Sequence, residues 1–271
     1  MDKTSLGDRM KNNYENISRY YITRRMPVII RVDMKAGHTF TKGLKKPFDD
    51  IFVKSMQDTM RYLCENIQGC ILGYTQSDEI SLALTDYTEI TTDAWFGNNL
   101  QKMCSVSASM ATLAFNQAFD HNAMERIDRI IDTSDTTGNA TEYTKILLNA
   151  RAKGAMFDSR VFAIPKEEVC NYFIWRQQDA TRNSILSVGQ ANFGKKELLG
   201  ESCNNIQDML MTQKGVNWND FATTLKRGSC CIKVNYNKVD LIYGCTSRNI
   251  WIIDNEIPIF SQDREYIEAL V

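Results

Sequence analysis

Histidine is scarce in this chain: two among 271 residues, and the eight cysteines stand apart with no C-x-x-C pair. Zinc needs closely spaced His and Cys ligands, so this supply argues against a zinc site. No run of roughly 18 apolar residues occurs, which argues against a membrane span. The opening MDKTSLGDRMKNNYENISRYY has no apolar core of a secretory signal. Reduced thiols and a cytoplasmic setting are therefore expected. An excess of one charge is missing too: 32 Lys and Arg face 33 Asp and Glu, a formal charge of −1. That argues against a generally basic nucleic-acid coat. It leaves room for a local basic patch, which is all that a specific RNA or nucleotide site requires. There is no internal repeat and no low-complexity tract.

What remains is ordinary globular composition, 43% apolar and 24% charged, in a chain long enough for a substantial core. After a polar helical lead-in, Val28, Ile29, Ile30 and Val32 form a nearly continuous apolar run, a buried strand ending at Asp33. Ile51, Phe52, Met56, Met60 and Leu63 recur at helical spacing over 49–66, with Asp49 and Asp50 suited to the N-terminus. Next, GYTQSDEISLAL reads as a β-hairpin with Asp78 and Glu79 at its tip. NNLQKMCSVSASMATLAFNQAF predicts a second long helix and GAMFDSRVFAIP a further strand. The resulting β-α-β-β-α-β order predicts an α+β fold containing a ferredoxin-like split unit. Residues 121–152 are rich in Asp and Thr and read as a polar surface insertion. Beyond 165, one long helix or two in sequence and two strands, TTLKRGSCCIKV and RNIWIIDNEIPIF, are expected. The predicted division is a catalytic core over 1–165, with a helical and β portion, 166–271, packed on it.

In that fold the strand ending at Asp33 neighbours the hairpin, so Asp33 and Asp78 meet. Two carboxylates without His or Cys partners suit a hard cation, Mg²⁺ above all, with Glu79 as a helper. A two-ion site of this kind serves phosphoryl or nucleotidyl transfer. The alternative is a solvated turn of ordinary acids. Lys35, Lys42, Lys45 and Lys46 surround the following loop, where Gly37 and Gly43 permit close approach of a triphosphate. A solvated lysine loop is the alternative there, and a structural histidine the alternative to a base or phosphate contact from His38. Lys102 and Arg160 are further phosphate candidates. Arg176, Asp179 and Asn183 lie one helical turn apart and read as a bridged helix face. Met56, Met60, Phe173 and Trp175 read as core.

Taken together, six ordered segments resemble the tRNA-His guanylyltransferase family, whose members include 3′-to-5′ polymerases. RVDMKAGHTF keeps Arg31, Asp33, His38 and Phe40 of R-[LV]-D-G-R-x-F-H-x-F. KPFD resembles K-P-N-D, YTQSDEISLAL resembles Y-x-Q-S-D-E-x-S-F, and WFGNNLQKMCSVSAS matches a tryptophan-to-lysine helix with Lys102 at the lysine. FDSRV resembles F-D-G-R-V, and YFIWRQQDATRN resembles Y-x-x-W-R-Q-x-D. The resemblance implies a polymerase-type palm with two Mg²⁺ held by Asp33, the Met34 carbonyl and Asp78. Asp33, Met34, Lys35, Ala36, Gly37 and His38, with Ser77 and Asp78, would then line a nucleoside triphosphate, ATP or GTP. Lys46, Lys102 and Arg160 would steady phosphates, tRNA would be the partner, and a homotetramer the assembly. Three departures stand out. Met34 replaces the family glycine, Asn98-Asn99 replaces a pair of arginines, and Thr181-Arg182-Asn183-Ser184 replaces H-I-N-N. The last two resemble the bacterial and phage "like" branch and imply template-dependent repair of 5′-truncated tRNAs. Single G addition to tRNA-His, a palm-type nucleotidyl cyclase and a non-catalytic RNA-binding module are the alternatives.

Overall fold

A computed structural model describes residues 5–132, 138–240 and 244–271. After a short N-terminal helix, α1 (Leu6–Met10), the apolar run forms strand β1 (Val28–Met34). A helical turn, α2 (Gly37–Phe40), leads to α3 (Asp50–Asn66), then to the hairpin β2 (Cys70–Gln76) and β3 (Glu79–Leu84). The middle of the chain holds α4 (Leu100–Asp132), α5 (Gly138–Lys153) and β4 (Phe157–Ala163). The long α6 (Lys166–Asn192), α7 (Cys203–Met209) and α8 (Thr223–Arg227) precede strands β5 (Ser229–Asp240) and β6 (Gly244–Asp254) and a last turn, α9 (Glu265–Glu268). The strands form one antiparallel sheet in the order β4-β1-β3-β2-β5-β6. This is a mixed α+β fold.

Strand β1 shows why the sequence reads as it does. Val28, Ile30, Val32 and Met34 face the larger core, shared with Met56, Met60, Phe115 and Phe119 of α3 and α4, while Ile29 faces a second core under α6. With both faces covered, no polar residue interrupts the run until Arg31 and Asp33, which are only half-buried. Asp49 caps α3, accepting from the amides of Ile51 and Phe52, both at 3.0 Å.

Two expectations change. Residues 121–152 are not a surface insertion: α4 continues to Asp132, and α5 packs beside it. The buried stripe Ala111, Phe115, Phe119, Ala123, Ile127 keeps a spacing of four, one residue per turn. So narrow a stripe leaves the segment polar in composition although its helix is anchored. Tyr143 of α5 donates to buried Asp49 at 2.7 Å, and Leu147 is fully buried. Residues 133–137, part of the Asp- and Thr-rich tract, lie outside the described residues. The C-terminal portion, expected to pack on the core, continues its sheet. Leu72–Thr75 pair with Ser229–Ile232, and β5 and β6 form a long ribbon beyond. The described cysteine side chains are free thiols.

Candidate active site

The registers of the sheet assemble the acids. Asp33 stands opposite Glu79 on β3 and opposite Asp158 on β4. Directly opposed residues of antiparallel strands share a face, so the three form one acidic row. Two residues further along, the same face carries Arg31, Ser81 and Arg160 as the next row. The β2–β3 turn is fastened to the end of β1, because the Met34 amide donates to the Asp78 carbonyl at 3.0 Å. Its residue Ser77 adopts φ +51°, a left-handed conformation costing a non-glycine residue roughly 1–2 kcal/mol, and donates to Asp78 Oδ1 at 3.0 Å. The Asp78 carboxylate lies over Gly37, where a Cβ would stand 1.9 Å from Oδ2. Ala36, also left-handed at φ +56°, starts the α2 turn that brings Gly37 there.

These acids feel one another. Burial raises the Asp33 carboxyl above its ordinary range, and the charges of Asp78, Glu79 and Asp158 add to the shift, against Arg31. Asp33 and Asp78, distant in sequence, are thus brought together, with Asp158 as a third acid. Asp158 sits in the quoted FDSRV two residues before Arg160, and that period-2 spacing was the signal for it.

Glu79 is differently engaged. Its carboxylate accepts from Arg176 Nε at 2.7 Å and Nη2 at 2.9 Å, and Arg31 Nη2 pairs with it at 2.5 Å. Arg176 also reaches Asp179 at 2.9 Å, and Ser81 and Tyr172 share a hydrogen bond of 2.7 Å beside this network. With Glu79 and Arg176 only 4% and 3% exposed, the bidentate pair is a buried bolt between α6 and the hairpin. Expected as a helper of the acid pair, Glu79 instead fixes the strand that carries its neighbour. The Arg176–Asp179–Asn183 face of α6 does bridge internally, Asn183 donating to Asp179 at 3.4 Å, but the main partner of Arg176 is Glu79.

A cavity of about 290 Å³ opens beside Asp78, between α2, α3, the end of β2, α6 and α8. Gly37, His38, Lys46, Ser77 and Asp78 line it, together with Gln57, Asn183 and Lys226. Lys35 and Ala36 are exposed on the adjoining loop. Lys45 is turned onto the Tyr143 ring, 4.4 Å from its centroid. Met34 replaces the family glycine without obstructing the site: pleating sends its side chain to the opposite face from Asp33, where it is 2% exposed in the core. Arg160 is exposed on the acidic face, one row behind Asp158. Lys102 stands apart. α4 touches Ala155 at Asn116 and Ser159 at Ser107, so Lys102 lies another ~7.5 Å along the helix away from the acids, its ammonium 5.7 Å from the Phe96 ring.

The donor set fits a hard cation. It is all oxygen, and the burial that raises the Asp33 carboxyl, with the repulsion of its neighbouring acids added, is what a cation would offset. No group of three His, Cys, Asp or Glu among the described residues suffices to hold a metal alone. A cation here would draw its remaining ligands from backbone oxygen, water or a bound phosphate, as Mg²⁺ commonly does. Trp175, expected in the core, is 52% exposed on α6.

Comparison with known proteins points one way. The model of the tRNAHis guanylyltransferase family matches residues 7–165. A bacterial tRNA(His) guanylyltransferase-like protein solved with ATP is 44% identical, with 98% of this chain and 99% of that one covered and a TM-score of 0.79. A bacterial tRNA(His) guanylyltransferase-like protein solved with GTP is 42% identical, with 98% and 99% covered and a TM-score of 0.76. A probable tRNA(His) guanylyltransferase of Dictyostelium discoideum is 21% identical over 258 residues, 90% of each chain. No helix among the described residues is long and apolar enough to cross a membrane.

Proposed function

Because this chain belongs to the tRNAHis guanylyltransferase family and is a nucleotidyltransferase of that type, we propose that it extends the 5′ end of tRNA in the 3′-to-5′ direction, repairing 5′-truncated molecules against their 3′ strand. The observation that carries this is the joining of Asp33 and Asp78 at one end of the sheet, beside a cavity lined by Lys46 and His38. The two aspartates and the main chain at Met34 would hold two Mg²⁺, which supply Lewis-acid stabilisation of charge on the reacting phosphates. The cavity takes the base and sugar of the triphosphate, as suits relatives solved with ATP and with GTP. Lys46 at its wall is a point charge for the phosphates, and the close approach at Gly37 leaves the turn free to lie along them.

Two displacements follow on these residues. A 5′-phosphate oxygen of the RNA attacks the α-phosphorus of ATP or GTP, and pyrophosphate leaves. The 3′-hydroxyl of the incoming nucleotide then attacks the activated 5′ phosphorus, giving up its proton as the nucleoside monophosphate leaves. Arg160, exposed on the row behind Asp158, would meet RNA phosphate. Thr181-Arg182-Asn183-Ser184 in place of H-I-N-N favours repair over single G addition. The exposed apolar series Leu6, Met10, Tyr14, Ile17 and Tyr21 near the N-terminus supports assembly of several copies, and Lys102, remote from the acids of its own chain, is assigned a phosphate role only within this reading.

The test is incubation of labelled, 5′-monophosphorylated, truncated tRNAs with Mg²⁺ and all four nucleoside triphosphates, resolving product length and sequence. Extension dictated by the 3′ strand, whatever the tRNA, is the expected result. Activity confined to tRNA-His would return the reading to G addition, and cyclic nucleotide formed without RNA would indicate a cyclase.

A further inference from the structure

Helix α6 crosses the acidic face and leaves an aromatic ring beside the basic row. Trp175 is 52% exposed, yet it is held. Its ring lies 4.4 Å from the Arg176 guanidinium and 5.8 Å from that of Arg31, and meets the Tyr172 ring edge-on at 5.9 Å. Arg176 is itself fixed by Glu79 and Asp179. The indole is therefore a rigid surface with half its area in water, on a helix rather than a loop.

Its neighbourhood is unbalanced in charge. Arg31 and Arg160 stand directly opposite each other on the same face, an arrangement that repels. Glu79 answers Arg31. Arg160 is exposed and has no ion pair among the described residues. One row away lie Asp33 and Asp158. A surface with a rigid open aromatic, an unanswered guanidinium and adjacent acids matches one nucleotide: a base to stack, a phosphate to bind, and a reacting 5′ end toward the acids.

We propose that Trp175 and Arg160 seat the 5′-terminal nucleotide of the RNA, the indole stacking on its base and the guanidinium holding its phosphate. This rests on the RNA 5′ end being the substrate and names the residues that receive it. Base stacking on an aromatic ring is tolerant of sequence, as an enzyme repairing tRNAs of any identity requires.

The experiment measures dissociation constants by fluorescence anisotropy, without nucleoside triphosphate. The ligands are a labelled, 5′-monophosphorylated truncated tRNA and the same tRNA with an abasic 5′-terminal residue. Trp175→Leu should weaken binding of the intact tRNA roughly 5- to 150-fold, with melting temperature and KM for ATP unchanged. Trp175→Phe should recover most of the loss. Wild-type protein should lose the same factor on the abasic tRNA, and Trp175→Leu should no longer tell the two apart. Wild-type affinity in Trp175→Leu, or undiminished discrimination by it, overturns the stack. Those outcomes leave the proposed function standing, since that reading is decided by wild-type protein: it fails if that protein extends no truncated tRNA, extends tRNA-His alone, or forms cyclic nucleotide without RNA.

Discussion

Adding one methyl group at Gly37 tests how the carboxylate of Asp78 is placed. In Gly37→Ala the new Cβ would stand 1.9 Å from Asp78 Oδ2, 2.8 Å from Cγ and 3.1 Å from Cβ. Ordinary carbon contacts begin near 3.5 Å, so the side chain must swing its carboxylate away by about 1.5 Å. The backbone at Gly37 is not left-handed, and alanine is the better helix former by roughly 0.8–1 kcal/mol, so folding is not at risk. Mg²⁺ tolerates little departure from ligand distances of about 2.0–2.1 Å, and a misplacement of ~1 Å at a reacting centre costs on the order of 100-fold. The expected result is a kcat/KM for tRNA extension lowered about 100-fold, with a melting temperature within about 2 °C of wild type. The assay is single-nucleotide addition at saturating triphosphate across a Mg²⁺ titration, beside a thermal melt. Activity within threefold of wild type at every Mg²⁺ concentration would refute the placement argued for Asp78.

Other outcomes follow from the same geometry. Glu79→Gln weakens a buried ion pair that answers both Arg31 and Arg176; a loss of about 3 kcal/mol should lower the melting temperature by roughly 6–12 °C, seen by calorimetry. Asp33 carries a folded-state pKa above its unfolded value, so its stabilising contribution is complete below the unfolded value, about 3.9, and is lost as pH rises through the folded one. In metal-free buffer at neutral pH, Asp33→Asn should therefore melt higher than wild type. That advantage should vanish in acid and be narrowed by Mg²⁺ at neutral pH. Met34→Gly empties a core position and should cost at least 2–5 kcal/mol by urea titration, while nucleotide addition at low temperature persists.

How much was legible in the sequence depends on the range of the forces involved. β1, α3 and the hairpin are written locally, in an apolar run, a helical stripe capped by Asp49 and a turn of Ser77-Asp78, so the meeting of Asp33 with Asp78 followed from strand order. The commitment of Glu79 was not legible, because Arg176 lies 97 positions away and no local pattern distinguishes a buried carboxylate from a solvated one. α4 beyond residue 120 was hidden by its one-residue-per-turn stripe, which leaves composition polar. The exposure of Trp175 has no local signal, because an indole is usually buried and only the packing of α6 over Arg31 leaves it open. The pairing of β5 with β2 joins residues some 155 apart and has no signal short of the folded sheet.

In the proposed function Asp33 and Asp78 together hold the divalent cations for nucleotidyl transfer. The direct measurement is Mn²⁺ binding, by electron paramagnetic resonance, to wild-type, Asp33→Asn and Asp78→Asn protein, each with ATP bound. Wild-type protein should take up two Mn²⁺ with bound ATP, and each variant should lose at least one while ATP binding and the melt show it folded. Equal Mn²⁺ occupancy in all three would contradict the account.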